Sequence, residues 1–229
     1  MQYKVLFLGR SNCIHTNRLI KILKNLSKVK FIKSNFPNEK INWKTIIKHK
    51  YDFIFCFRSY FILNKKVLES VKVASINFHP GTLKYRGFGG INFALLNNEK
   101  YFGCTAHLIN EKIDNGPVIK QVKFNINKLE NLDKILIKTH RELFNLAKYL
   151  ITKILKNINI IQELVKVNKK YKWSKKIYSK RELEKIYQVE NIKNKNHLKK
   201  IIFATYCEKF KPYILLDNQK IFLNKKNLD

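Results

Sequence analysis

The segment YKVLFLGRSNCIHTNRLIKILKNL, Tyr3 to Leu26, decides the fold class. Its first part is a short apolar run closed by Gly9, the form a strand takes when both faces of a parallel sheet are covered. Turn and capping residues follow, and then Leu19, Ile20, Leu23 and Leu26 recur at helical spacing. The same alternation continues downstream. VKFIKS (29–34) reads as a strand, INWKTIIKHK (41–50) as a short helix and YDFIFCF (51–57) as a strand buried on both faces. NKKVLESVK (64–72) is a brief helix and VASINF (73–78) the next strand. Strands alternating with helices predict an α/β fold, a doubly wound and mostly parallel sheet. Ligands in such sheets sit beyond the carboxyl ends of the strands. Three of those ends carry polar or glycine-rich residues: Gly9 to Asn12, Arg58 to Leu63, and Asn77 to Gly90.

Further along, FGCTAHLIN (102–110) and PVIKQVKFNI (117–126) read as two more strands. Leu132, Ile135, Leu136, Leu143, Leu146, Ala147, Leu150 and Ile154 then mark one long helix packed along a single face. Beyond residue 160 the chain turns into short basic segments, a helix NHLKKIIFAT (196–205), and YILLDNQKIFL (213–223). The last has apolar arms around Asp217 and Asn218, a hairpin signature. The expected organisation is a catalytic domain over residues 1–160 and a small C-terminal subdomain, with a β-hairpin, over 161–229. In that subdomain Tyr171, Trp173 and Tyr178 are read as aromatics that either stack on a base or pack a dimer, the second reading being favoured.

The chain has 229 residues and a formal net charge of +31. Only six of its 47 basic residues are Arg; the others are Lys, scattered over nearly every helix. A nucleic-acid reader favours Arg forks clustered on one face. The scattered pattern is read as a solvated Lys surface that attracts anionic substrates, with nucleic acid left open as a partner. Four cysteines, Cys13, Cys56, Cys104 and Cys207, form no C-x-x-C pair and no metal spacing, so no metal is expected. Buried free thiols suit a reducing cytosol. No signal peptide is visible, and no apolar stretch reaches the roughly 18 residues of a membrane helix. A cytoplasmic protein is expected.

The chemistry concentrates at Asn77, His79 and Asp114. An Asn at a strand end can donate its amide N–H to an oxygen that becomes negative in a transition state. A His two residues later in an extended chain points to the same face, and Pro80 stops the strand there. Asp114 sits in EKIDNGPVI, a polar turn between two strands. A carboxylate beside an imidazole favours its protonated form and can itself accept a proton. Each of the three also has an ordinary structural reading, as a loop contact, a buried imidazole or a hairpin turn.

Their joint spacing resembles the formyltransferases that use formyl-tetrahydrofolate. That family carries Asn-x-His-Pro and, about 35 residues later, Asp-x-Gly; here INFHP and DNG stand with 35 residues from His79 to Asp114. His107 lies seven before Asp114, and SYFILNKKVL places Leu63 fourteen before Asn77, as in the family's pterin-lining segment. The resemblance runs from Tyr3 to Ile158. It implies 10-formyltetrahydrofolate as formyl donor and an acceptor amine that attacks the formyl carbon. Asn77 and a protonated His79 would stabilise the developing oxyanion, and Asp114 would take or relay the amine proton. Phe61, Ile62, Leu63, His107, Asn110, Glu111, Lys112 and Ile113 would hold the folate.

The acceptor is read from the remaining residues. INFHPG…YRGFGGINFALLNNEKYFG with a short tail is most similar to the sugar N-formyltransferases, which act on a nucleotide-linked amino sugar for O-antigen and other surface glycans. Gly9, Ser11 and Asn12 resemble the phosphate-holding turn of glycinamide ribonucleotide formyltransferases, and backbone N–H groups at that helix start suit any phosphate. Arg86, in the glycine-rich loop, is read equally as a contact for an anionic or hydroxyl-rich acceptor and as a member of a structural ion pair. The alternatives are methionyl-tRNA formyltransferase, glycinamide ribonucleotide formyltransferase, and a nucleic-acid-binding module on an inactive scaffold. GRSNCIH lacks G-x-G-x-x-G, which argues against a dinucleotide-binding oxidoreductase. A homodimer is expected.

Overall fold

The computed structural model describes residues 2–37, 39–127 and 131–224. In chain order its elements begin with β1 (Lys4–Arg10), α1 (Ile14–Leu26), β2 (Lys28–Ser34), α2 (Trp43–His49), β3 (Phe53–Phe57), α3 (Lys65–Ser70) and β4 (Ala74–His79). There follow β5 (Arg86–Gly87), α4 (Gly90–Leu96), β6 (Tyr101–Leu108), β7 (Val118–Asn125), α5 (Leu132–Lys156) and α6 (Ile160–Val167). The chain closes with β8 (Ile177–Tyr178), α7 (Lys180–Tyr187), α8 (Lys195–Thr205), β9 (Tyr213–Leu216) and β10 (Gln219–Phe222).

The main sheet has six strands in the order β2-β1-β3-β4-β6-β7. β2, β1, β3 and β4 run parallel, and β6 joins β4 antiparallel. This is the α/β fold read from the sequence. Because β2 and β3 flank β1 on opposite sides, the topological switch point falls between the carboxyl ends of β1 and β3. Burial follows the period of two. Val5 and Phe7, Phe53, Phe55 and Phe57, and Ile76 and Phe78 pack with Leu19 and Leu23 of α1 and Leu143, Ala147 and Leu150 of α5. On the other face Leu6, Leu8, Ile54 and Cys56 pack with Ile46 of α2 and Val67 of α3. Each fully buried Leu or Phe contributes about 1.5–3 kcal/mol, so the two faces tie the sheet to both helical layers.

Packing divides the chain differently from the consecutive 1–160 and 161–229 segments. One compact unit takes residues 1–80, 104–122 and 140–173; the other takes 81–103, 123–139 and 174–229. The second unit has its own core of Tyr85, Ile91, Leu95, Phe102, Leu132, Ile135, Tyr178 and Ala204. There the two-residue strands β5 and β8 pair in parallel. β9 and β10 form the expected hairpin, with Asp217 and Asn218 at φ 48° and 61°, the left-handed pair that a two-residue turn requires. Among the described residues no helix is long and apolar enough to cross a membrane.

Candidate active site

β4 delivers Asn77 and His79 to one face of the sheet, opposite the face on which Ile76 and Phe78 enter the core. Antiparallel pairing puts His107 of β6 directly across from Asn77 and Thr105 across from His79. The loop after β6 brings Asp114 back over this pair. Its Oδ2 lies 3.2 Å from His79 Nδ1, and its Oδ1 accepts from Asn77 Nδ2 at 3.1 Å. The site is enclosed: His79 is 5% exposed and His107 2%.

His107 Nδ1 lies 2.7 Å from the Leu108 carbonyl oxygen. A carbonyl only accepts, so the proton sits on Nδ1 and Nε2 is an acceptor. Asn77 Nδ2 lies 3.1 Å from that Nε2. Its two hydrogens are therefore directed one to Asp114 and one to His107. The expected donor to an oxyanion is, in the structure, also the clamp that orients the carboxylate. His79 gives Nδ1 to Asp114, which turns its Nε2 away from the carboxylate.

The loop geometry shows why the motif is Asp-x-Gly. Asp114 has φ 41°, a left-handed conformation that Asp tolerates better than most residues. Gly116 is required by close approach: a Cβ there would lie 1.7 Å from the Leu108 carbonyl oxygen. Trp173 covers this corner. Its Nε1 donates to the Gly116 carbonyl at 2.8 Å, and its ring meets His107 and His79 edge-on at 5.0 and 6.0 Å. The sequence reading offered base stacking or dimer packing for Trp173; within the chain its ring packs on the two histidines. Tyr178 likewise packs inside the second unit, against Phe93 and Tyr85.

The residues expected to hold folate fall into two groups. Leu63 is buried, with Phe61 and Ile109 packed against the same cluster, so the 61–63 and 109–113 loops share an apolar contact. Ile62 and Ile113 stay 66% and 46% exposed on those loops. Asn110 Oδ1 accepts from the Lys112 N–H and shapes the second loop; Glu111 and Lys112 are exposed. Exposed apolar side chains beside backbone turns fit a flat heteroaromatic ring.

The residues expected at the acceptor make the following contacts. The close approach at Gly9 serves helix packing, since a Cβ there would meet Thr16 Cγ2 at 2.5 Å. Ser11 directs both its N–H and its hydroxyl to the Ser34 carbonyl, each at 2.9 Å. Asn12 is exposed with φ 50°. Arg86, in the second unit, is 5% exposed and donates from Nη1 to the Ser174 carbonyl at 2.8 Å. That contact ties residue 174 to the glycine-rich loop. Among the described residues no group of His, Cys, Asp or Glu could hold a metal ion.

An imidazole oriented by a carboxylate, beside an amide donor at the carboxyl edge of a doubly wound sheet, is the equipment of an acyl-group transferase. The formyl transferase family model matches residues 15–146, more than half of the chain, and the protein belongs to that family. A methionyl-tRNA formyltransferase from Thermodesulfovibrio yellowstonii is 41% identical over 75 residues, covering 32% of this chain and 24% of that protein. The matched stretch thus spans about a quarter of that relative's length. A sugar N-formyltransferase from a Shewanella species matches at TM-score 0.73 with 20% identity, over 96% of each chain. An N-formyltransferase from Helicobacter canadensis, solved with folinic acid and dTDP-3-aminofucose, matches at TM-score 0.71 with 21% identity. The match covers 96% of this chain and 86% of that one. These structural likenesses lie in the fold.

Proposed function

We propose that this protein is a cytoplasmic N-formyltransferase that moves a formyl group from 10-formyltetrahydrofolate to the amine of a nucleotide-linked amino sugar. The observation that carries the chemistry is the Asn77–Asp114–His79 chain, with contacts of 3.1 and 3.2 Å. The donor supplies an activated formyl group on a nitrogen. His79, protonated and held through Nδ1 by Asp114, presents Nε2–H to the negative charge that develops on the formyl oxygen. Asn77 adds the N–H that it gives to His107 in the structure, because an oxyanion is a stronger acceptor than a neutral imidazole. As the amine attacks, Asp114 accepts its proton, directly or through water, and the proton returns to the donor nitrogen as its bond to the formyl carbon breaks and tetrahydrofolate leaves. Trp173 keeps the two imidazoles packed and limits water at their edges. Ile62 and Ile113 offer apolar surface to the pterin.

Coverage supports the sugar acceptor. The sugar N-formyltransferase fold accompanies this chain over 96% of both lengths, short tail and all. Its product would serve O-antigen or another lipopolysaccharide-type surface glycan, and a homodimer is the proposed assembly. A second reading, formylation of methionyl-tRNA, is favoured by the 41% identity over 75 residues and by the charge of +31. An assay with 10-formyltetrahydrofolate against nucleotide-linked 3- and 4-amino sugars, glycinamide ribonucleotide and methionyl initiator tRNA separates them. Formylation of one amino sugar is expected. Turnover with the tRNA alone would replace the sugar reading with the second one.

A further inference from the structure

Two arginines and two histidines gather at the switch point of the first unit; Phe57 pairs with Phe78, so Arg58 follows at the register of His79. Arg10 is the last residue of β1, and Arg58 immediately follows β3. The Arg10 guanidinium lies over the Tyr60 ring at 4.0 Å, and its Nε is buried with no hydrogen-bond partner. Arg58 is held at φ 53°, a left-handed conformation that costs a non-glycine residue about 1 kcal/mol or more. Its Nη1 donates to Cys13 Sγ at 3.4 Å. His15, in the first turn of α1, stacks on Phe144 at 5.1 Å, and its Nδ1 is likewise buried without a partner. Arg18 lies over the same ring at 4.4 Å. His140 of α5 is close enough to feel Arg58, Arg10 and His15.

Like charges brought together and desolvated are costly unless an anion compensates them. No salt bridge to a carboxylate is formed by Arg10, Arg58, Arg18, His15 or His140 among the described residues. The Cys13 thiol beside Arg58 could neutralise one charge at most. The absence of compensation registers in the groups themselves. Burial, then Arg10, lowers the Arg58 pKa. Burial, then Arg18 and Arg58, lowers that of His15. Burial, then Arg58, Arg10 and His15, holds His140 down to about 3. Donors from β1, β3, α1 and α5 approach from several directions. A tetrahedral phosphate can use such a set, whereas a planar carboxylate is satisfied by one guanidinium fork.

The geometry points to a phosphate subsite built from Arg10, Arg58, His15 and His140, which takes the diphosphate of the acceptor. This assignment rests on the reading of the acceptor as a nucleotide-linked sugar. It moves the phosphate contact from the Gly9 to Asn12 backbone to side chains that flank it. An anion seated there makes protonation of His15 and His140 favourable, so binding near neutral pH is accompanied by proton uptake.

The test is calorimetric titration of the full-length protein with inorganic pyrophosphate near pH 7, in two buffers of different ionisation enthalpy. Pyrophosphate is expected to bind with net proton uptake. Arg58→Gln and Arg10→Gln should each weaken it by about tenfold or more, while folinic acid still binds and so reports an intact fold. His140→Gln should lower the number of protons taken up. Should a variant fail to fold, the wild-type titration decides alone, since binding without proton uptake, or no binding, overturns the subsite. Equal affinity in the folded arginine variants overturns it as well. Competition between pyrophosphate and the glutamyl carboxylates of a folate polyglutamate would assign the cluster to the donor and also overturn it. Pyrophosphate binding that behaves as expected in a protein unable to formylate amino sugars would keep the subsite and remove the acceptor reading.

Discussion

Asp114 holds His79 by a 3.2 Å contact between Oδ2 and Nδ1, while its other oxygen is fixed by Asn77. That contact decides which ring nitrogen of His79 faces the reacting group. Asp114→Asn keeps the size but removes the charge that favours protonated imidazole. We expect turnover to fall by about 10²–10⁴-fold, with folate affinity little changed. Single-turnover formyl transfer beside a fluorescence titration of the folate checks both halves.

Gly116 is a steric requirement of the site. Its substitution by Ala places a methyl group against the Leu108 carbonyl, whose oxygen also accepts from His107 Nδ1. Gly116→Ala should destabilise the protein by about 2–4 kcal/mol and lower activity in the fraction that folds. Urea unfolding followed by tryptophan fluorescence gives the first number.

Trp173 acts by packing and through one hydrogen bond. Trp173→Phe retains an aromatic edge near His107 and loses the bond to the Gly116 carbonyl, a loss of about 1 kcal/mol. Trp173→Ala removes the ring and should cost about 2–4 kcal/mol, since the side chain is half-buried. If Trp173 positions the histidines, Ala lowers kcat in the folded fraction and Phe rescues it. A purely structural role would lower the melting temperature and leave kcat of the folded fraction in place.

His140 makes stability depend on pH. Its folded pKa of about 3 lies below the ordinary value of 6.5, so the unfolded chain binds the extra proton first. Stability from this residue is complete above about pH 6.5 and is lost as pH falls toward 3. The slope approaches about 1.4 kcal/mol per pH unit within that window. His140→Leu should flatten the acid side of a plot of unfolding free energy against pH. An unchanged acid slope would remove His140 as its cause.

The sheet was legible because each strand is an apolar run too long for a turn and too short for a helix. Phe53 to Phe57 is the plainest case, with all five residues buried. The hairpin was legible from Asp217 and Asn218, whose left-handed φ values are those such residues tolerate. Asn77, His79 and Asp114 stood out through the resemblance to the formyltransferases, and a strand pair and one turn bring the three together. Trp173 did not: its partners lie 66 and 94 positions away, and a basic run carries no periodic signal for such a contact. The interleaved units were hidden for the same reason, since residues 81–103 and 174–229 meet only through tertiary contacts such as Arg86 to Ser174. Arg58 was lost among 47 basic residues; only its backbone and burial distinguish it.

The central claim is that the Asn77, His79 and Asp114 constellation transfers a formyl group. The most direct measurement is formyl transfer by His79→Asn against the wild type, with tetrahydrofolate release followed at saturating donor and acceptor. The account predicts a loss of turnover of about 10²-fold or more, with donor affinity within a few-fold of the wild type. Unchanged turnover in His79→Asn would contradict it.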